Sequence, residues 1–170
     1  MIYKFYKILI FLYLSFFFTT NGFSETKLLG VEKFWKAYST KLDKAKTCFI
    51  TSEPTKTIGK FNKKNRGKPY VFVTNIKNGT KHEISIKAGF NFKKNKDVIF
   101  DVDGKKTILF PVEDRAWSES TKVDRFLVQS MRKGRTLIVT GTSTPGNKII
   151  DTYSLSGFTK ALRLIDKSCS

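Results

Sequence analysis

The 170-residue sequence predicts a mainly β protein, an antiparallel β-sandwich with one inserted helix and one C-terminal helix. Three features carry that expectation. Tyr70–Ile76, YVFVTNI, is a dense run of β-branched and aromatic residues, the composition of a pleated, half-buried strand. Asn78-Gly79 and Asp103-Gly104 each separate two apolar runs, the mark of a tight hairpin whose two central residues accept positive φ. The apolar spacing turns helical in two places, Val123–Met131 and Phe158–Ile165. Short strands joined by turns favour a sandwich or barrel over alternating βαβ units.

Taken in order, Met1 to Ser24 reads as an export signal. Lys4 and Lys7 precede an apolar run, Ile8 to Phe18, and Gly22 and Ser24 suit cleavage before Glu25. That run is too short to span a bilayer, and no second run of membrane length follows. Residues 25–170 are therefore expected to form a single β-sandwich domain, periplasmic or secreted, with no transmembrane span after cleavage. Trp35 is expected to anchor the core, Lys41 to Lys46 to form a turn, and Thr47 to Ser52 a strand with Cys48 and Ile50 on one face. Glu53-Pro54 ends that strand, and Lys56 to Lys68 is a basic loop. Beyond the Asn78-Gly79 turn, Lys81 to Lys87 returns as a strand with Ile84 and Ile86 inward and Ser85 outward. His82, the single histidine, is expected at the surface.

Gly89 to Phe92 suggests an irregular strand or bulge, followed by a second basic loop at Lys93 to Lys96. Val98–Val102 and Thr107–Phe110 flank Asp103-Gly104, with Pro111 closing the unit and Ala116-Trp117 at a buried point. Ser120 or Thr121 can cap a helix carrying Val123, Phe126, Leu127 and Met131, with Gly134 just past its end. Thr136–Gly141 and Lys148–Tyr153 are strands about the polar turn Thr142 to Gly146. In the last helix Phe158, Ala161, Leu162 and Ile165 form an apolar stripe that Cys169 extends, behind a turn and cap at Ser156 and Gly157.

The two cysteines, Cys48 and Cys169, are expected to pair, since export delivers them to an oxidising compartment. Two buried thiols or an intermolecular bridge are the alternatives. No C-x-x-C motif accompanies them, so their role is structural. The formal net charge is +18, from 26 Lys and 6 Arg against 14 acids. Lysine is a hydrated point charge, whereas arginine offers the planar fork that specific phosphate recognition uses. Lys60, Lys63, Lys64, Arg66 and Lys68 of the first basic loop, with Lys93, Lys94 and Lys96 of the second, are the candidate anion contacts.

Catalytic signatures are missing. There is no G-x-S-x-G elbow, phosphate loop or dinucleotide fingerprint. One histidine cannot supply a zinc site. Asp101 and Asp103 are explained by their hairpin turn. No enzyme activity, no cofactor and no metal are expected.

The motifs together resemble the invasion-associated locus B family of exported bacterial proteins. The resemblance rests on Trp35, Cys48-Phe-Ile, Tyr70-Val-Phe-Val-Thr, Gly89-Phe-Asn-Phe, Ala116-Trp117 and Met131-Arg-Lys-Gly134. It rests further on Gly141-Thr-Ser, Asp151-Thr-Tyr-Ser-Leu-Ser-Gly-Phe158, Ala161-Leu162 and Cys169. It covers Trp35 to Cys169, and the order of the motifs is its substance. It implies an immunoglobulin-like β-sandwich in the bacterial envelope, associated in some members with host-cell invasion, and it implies no catalytic residues. The expected activity is that of a binding or surface-interaction module whose basic loops meet an envelope component, an anionic surface or a protein partner. Nucleic acid is an unlikely partner for an exported protein. The competing readings are a periplasmic accessory, chaperone-like or inhibitor protein using an apolar groove or sheet edge, and a hydrolase with an unrecognised site.

Overall fold

The computed structural model describes residues 25–42 and 45–170. The expected export signal, Met1 to Ser24, lies outside the described residues, as do Asp43 and Lys44. Among the described residues, eleven antiparallel strands hydrogen-bond into one continuous ladder that forms two layers. The first layer contains β1 (Lys27–Glu32), β2 (Trp35–Leu42), β3 (Ala45–Ser52), β5 (Tyr70–Ile76), β6 (Glu83–Lys87) and β9 (Arg115–Trp117). The second contains β8 (Lys105–Val112), β7 (Val98–Val102), β10 (Thr136–Thr142), β11 (Lys148–Ser154) and β4 (Lys56–Gly59). Among the described residues, two helices, α1 (Thr121–Lys133) and α2 (Phe158–Ser168), accompany the strands.

The layers join through β8. Residues 105–109 pair with β7, and Phe110 to Val112 pair with β9. Pro111 does not close the unit as its ring suggests; the strand runs through it and changes partner there. A residue with no N–H to give a ladder is tolerated where pairing is already interrupted, and strands that switch sheets do so at such bends.

Both layers and both helices contribute to one core. Trp35, Ile50, Val73 and Ile84 meet Phe100, Leu137 and Tyr153, with Leu127 and Met131 from α1 and Phe158 and Ile165 from α2. Trp35 is fully buried; its indole Nε1–H donates to the Ser154 carbonyl (3.0 Å) and its ring meets Phe158 edge-on at 5.0 Å. Gly157 starts α2 with φ 96°, and a Cβ there would collide with the Glu32 carbonyl. It turns the chain without supplying a side-chain cap.

Cys48 and Cys169 form the disulfide, with Cα atoms 6.0 Å apart. Around it, Lys46 Nζ donates to the Ser168 carbonyl (2.6 Å), and Asn75 Nδ2 donates to Asp166 Oδ1 (2.9 Å). His82 Nε2 lies 2.6 Å from the same oxygen. The surface role expected of His82 is therefore corrected: its side chain is 23% exposed and fastens the β5–β6 connection to α2. The same network reshapes the first hairpin. The His82 N–H donates to Asn75 Oδ1 (2.8 Å), and positive φ falls on Asn78 and His82, not on Gly79. The connection is wider than a two-residue turn, and β6 begins at Glu83. Asp103 and Gly104 do both take positive φ, so the second hairpin turns as its dipeptide predicts.

Three smaller expectations also change. Ser85 faces outward, opposite to Ile84 and Ile86, but it is buried there and not open, because Phe72 and Trp117 flank it in register. The inward stripe of α1 is Asp124, Leu127, Val128 and Met131, while Phe126 is exposed. Asp124 turns inward because its carboxylate accepts the Ile84 N–H (2.9 Å) and the Ser118 hydroxyl (2.7 Å). Gly134 ends α1 in extended conformation, and Val102 occupies the space that a side chain would need.

Candidate functional site

Two surfaces stand out, and the sequence pointed to one of them. The loop containing Lys60, Lys63, Lys64 and Lys68 and the loop containing Lys93, Lys94 and Lys96 converge at one end of the molecule. The Gly67 N–H donates to the Gly89 carbonyl (2.9 Å), and the Lys93 N–H donates to Thr142 (2.8 Å). Phe92 bridges to Ser143, and Thr144 donates to the Asn91 carbonyl through both its N–H and its hydroxyl. The second loop thus hangs on the Thr142–Asn147 turn, while the first is tied to Gly89 and borders the same turn. All seven lysines are exposed. A shallow hollow of about 210 Å³ lies between the first loop and the turn, lined by Phe61, Asn65 and Pro145 among others.

Arg66 is different. Its guanidinium and the Asp151 carboxylate form an ion pair in which each side chain is 6% exposed. Nε and one terminal nitrogen also donate to the Ala88 carbonyl (3.0 and 2.9 Å), and the rings of Phe61 and Phe90 lie 5.1 and 5.3 Å from its carbon centre. Thr57 donates to the same carboxylate (2.6 Å). A guanidinium so enclosed ties the basic loop to β11 and offers no fork to an outside anion. Tyr153 is buried nearby, and burial, then the Asp151 charge, raises its pKa well above the usual range for a phenol despite the opposing effect of Arg66.

The second surface is the outer face of the first layer, which the sequence reading missed. Alternation along β2, β3 and β5 places Trp35, Ala37, Cys48, Ile50, Val71 and Val73 inward. The residues between them face outward. Tyr38 stacks on Phe49 at 5.2 Å; Phe49 lies 6.0 Å from Phe72, which lies 5.7 Å from Tyr70. The Arg115 guanidinium sits 5.5 Å over the Phe72 ring. Lys36, Thr51, Phe72 and Ser85 follow one another across the strands in register.

These rings line an open groove of about 610 Å³, whose remaining walls include Phe34, Lys36, Thr51, Ser52 and Glu53. The Thr51 hydroxyl is buried and has no hydrogen-bond partner among the described residues. Glu83, at the far end of the Tyr38–Phe49–Thr74 row, has its pKa raised by burial and then by the Asp124 charge. A signal for this face did exist in the sequence: in YVFVTNI one alternating set begins with Tyr70 and Phe72 and the other with Val71 and Val73, so both are apolar over the first four residues. Periodicity cannot say which set is the core.

Among the described residues no three of His, Cys, Asp or Glu gather where they could hold a metal ion, and no helix is long and apolar enough to cross a membrane. His82 and Asp166 form an acid–base pair by type, but the carboxylate also accepts from Asn75, and the group's contacts lead to α2.

Comparison with known proteins agrees with this architecture. A family model described as Invasion associated locus B (IalB) protein matches residues 35–166. The chain is similar in structure to the crystal structure of invasion associated protein b from Bartonella henselae. The TM-score is 0.57 at 20% sequence identity, over 85% of this chain and 97% of that chain. At that identity the likeness speaks for the fold alone. No curated protein matches the sequence.

Proposed function

The chain belongs to the invasion associated locus B family, and on that premise we propose that it is an exported, non-catalytic binding protein of the bacterial envelope. In this reading residues 25–170 fold as one domain after removal of Met1 to Ser24. The basic end engages an anionic envelope component. The observation that carries the reading is the convergence of Lys60, Lys63, Lys64, Lys68, Lys93, Lys94 and Lys96 on the Thr142–Asn147 turn. Exposed lysines on two tethered loops form a broad field of point charges. Such a field attracts phosphate- or carboxylate-bearing surfaces without selecting one geometry. The disulfide supports export, because such bonds persist in oxidising compartments.

Salt tests the reading. Binding to heparin, and to phosphatidylcholine vesicles containing phosphatidylglycerol, should fall steeply between low and high ionic strength. Vesicles of phosphatidylcholine alone should not bind. If retention on both anionic surfaces is the same at low and high salt, the electrostatic reading fails.

A further inference from the structure

We propose that the free edge of β1 pairs with the β1 edge of a second copy of this chain, antiparallel around a two-fold axis at the Leu29–Gly30 step. The pairing would oppose Lys27 to Glu32 of the second copy, Leu28 to its Val31, and Leu29 to its Gly30. Symmetry makes each of these pairs occur twice.

The ladder has two ends, and they differ. β4 has four residues, follows Pro54, carries Lys56 and runs into the basic loop at Lys60. Brevity, lysine and proline are the features that keep an edge from joining another strand. β1 has six residues, no proline, and one base and one acid at its two ends. It pairs with β2 alone, and among the described residues no other backbone hydrogen bond reaches residues 27–32. Glu32 and Trp35 close the β1–β2 turn, so by alternation the Val31 N–H and carbonyl point away from β2. Leu28 is 50% exposed and Val31 54%.

The bulge in β1 selects the partner. Leu28 pairs with Tyr38 and Gly30 with Ala37, which leaves Leu29 as the extra residue. Leu28 and Val31, opposite Tyr38 and Lys36, therefore share the outer face although three positions apart. Leu29 packs on the core, and Gly30 lies against Leu164 of α2. A regular strand repeats every two residues and cannot follow a three-residue step along this edge. A second β1 running the other way has the same step at the same place. Opposed residues then agree in face and in kind: apolar Leu28 with Val31 outside, and, on the other side, large Leu29 with small Gly30 and Lys27 with Glu32. A parallel pairing in register would instead set Lys27 against Lys27 and Glu32 against Glu32.

The test uses the protein purified in its exported form at about 0.15 M NaCl. Charges far apart on two strongly basic chains are screened there, while directly opposed ones still interact. Sedimentation equilibrium should give a monomer–dimer equilibrium with Kd of about 100 µM or tighter, and amide exchange at Val31 should slow as the dimer fills. Lys27→Glu alone and Glu32→Lys alone each convert both ion pairs into like-charge contacts. Each should weaken the dimer about tenfold. Both substitutions in one chain restore opposite charges and should restore the dimer. An equimolar mixture of the two single variants should form a mixed dimer, in which every opposed pair is again opposite in sign. The proposal is overturned if the parent protein stays monomeric at about 1 mM, or if the single reversals leave the dimer unchanged. It is equally overturned if neither the double variant nor the mixture recovers what the single reversals lose.

Discussion

The basic end and the aromatic face present opposite kinds of surface, and each is held from within by a different kind of bond. Beneath the lysine loops lies a buried charge pair, Arg66 with Asp151, wrapped by Phe61 and Phe90. Behind the aromatic face lies α2, packed on β1, β2, β3 and β5 and locked by the Cys48–Cys169 bond. The loops at the basic end have few apolar side chains with which to hold themselves, so an ion pair with several hydrogen bonds fixes them. The sheet face is already rigid through its ladders; there the disulfide and the His82–Asp166–Asn75 network fix the helix that covers its inner side. Charge on flexible side chains attracts broadly, whereas rings on paired strands are pre-organised for shape.

The two fastenings can be broken separately. Asp151→Ala leaves a buried guanidinium without its counter-charge. It should destabilise the protein by about 3–5 kcal/mol, measured by urea unfolding, and make the Lys60–Lys68 loop the first site of proteolysis. Removing both cysteines, Cys48→Ala with Cys169→Ala, releases a loop closed over a separation of 121 residues. It should cost about 2–5 kcal/mol, with early hydrogen exchange confined to α2 and the strands it covers. If either variant loosens both regions equally, the two surfaces are not independently supported.

Milder changes sharpen the contrast. Lys60→Glu, Lys63→Glu and Lys64→Glu together should lower heparin affinity at low salt by at least about tenfold and leave the unfolding midpoint in place, because all three side chains are exposed. Tyr153→Phe should be the smallest effect. It removes a hydroxyl that is buried without a partner among the described residues and should gain up to about 1 kcal/mol. The folded pKa of Tyr153 is raised, first by burial and then by Asp151. Its contribution to stability is therefore complete below the ordinary phenol range near ~10 and is lost as pH climbs through that range toward the folded value. The variant should resist alkaline unfolding better than the parent, and an identical alkaline midpoint would contradict the assignment.

The extent to which the sequence foretold these surfaces differs between them for a physical reason. Lysine loops are contiguous in sequence, so Lys60 to Lys68 and Lys93 to Lys96 were legible as basic clusters before any fold was known. Their convergence was not, because it depends on the Thr142–Asn147 turn lying between them. Arg66 looked like its lysine neighbours, and only Asp151, far along the chain, draws it inside. The aromatic face is contributed by three strands, with one or two rings from each. No local window contains more than two of its four rings.

The two hairpin dipeptides make the same point in miniature. Asp103-Gly104 turns as its residues prefer, and the Asp101 carboxylate, which accepts the Gly104 N–H (2.7 Å), reinforces the turn. Asn78-Gly79 does not, because the Asn75 side chain takes the His82 N–H and widens the loop. By itself the sequence determined what is local: the strand Tyr70–Ile76, the capped start of α1 at Ser120, the apolar stripe of α2 and the eligibility of Cys48 and Cys169 to pair. Tertiary structure alone decided which face of β5 is core, where β8 passes from one layer to the other, and which cation is interior. Those outcomes rest on contacts between residues distant in the chain, and such contacts leave no trace in spacing or composition.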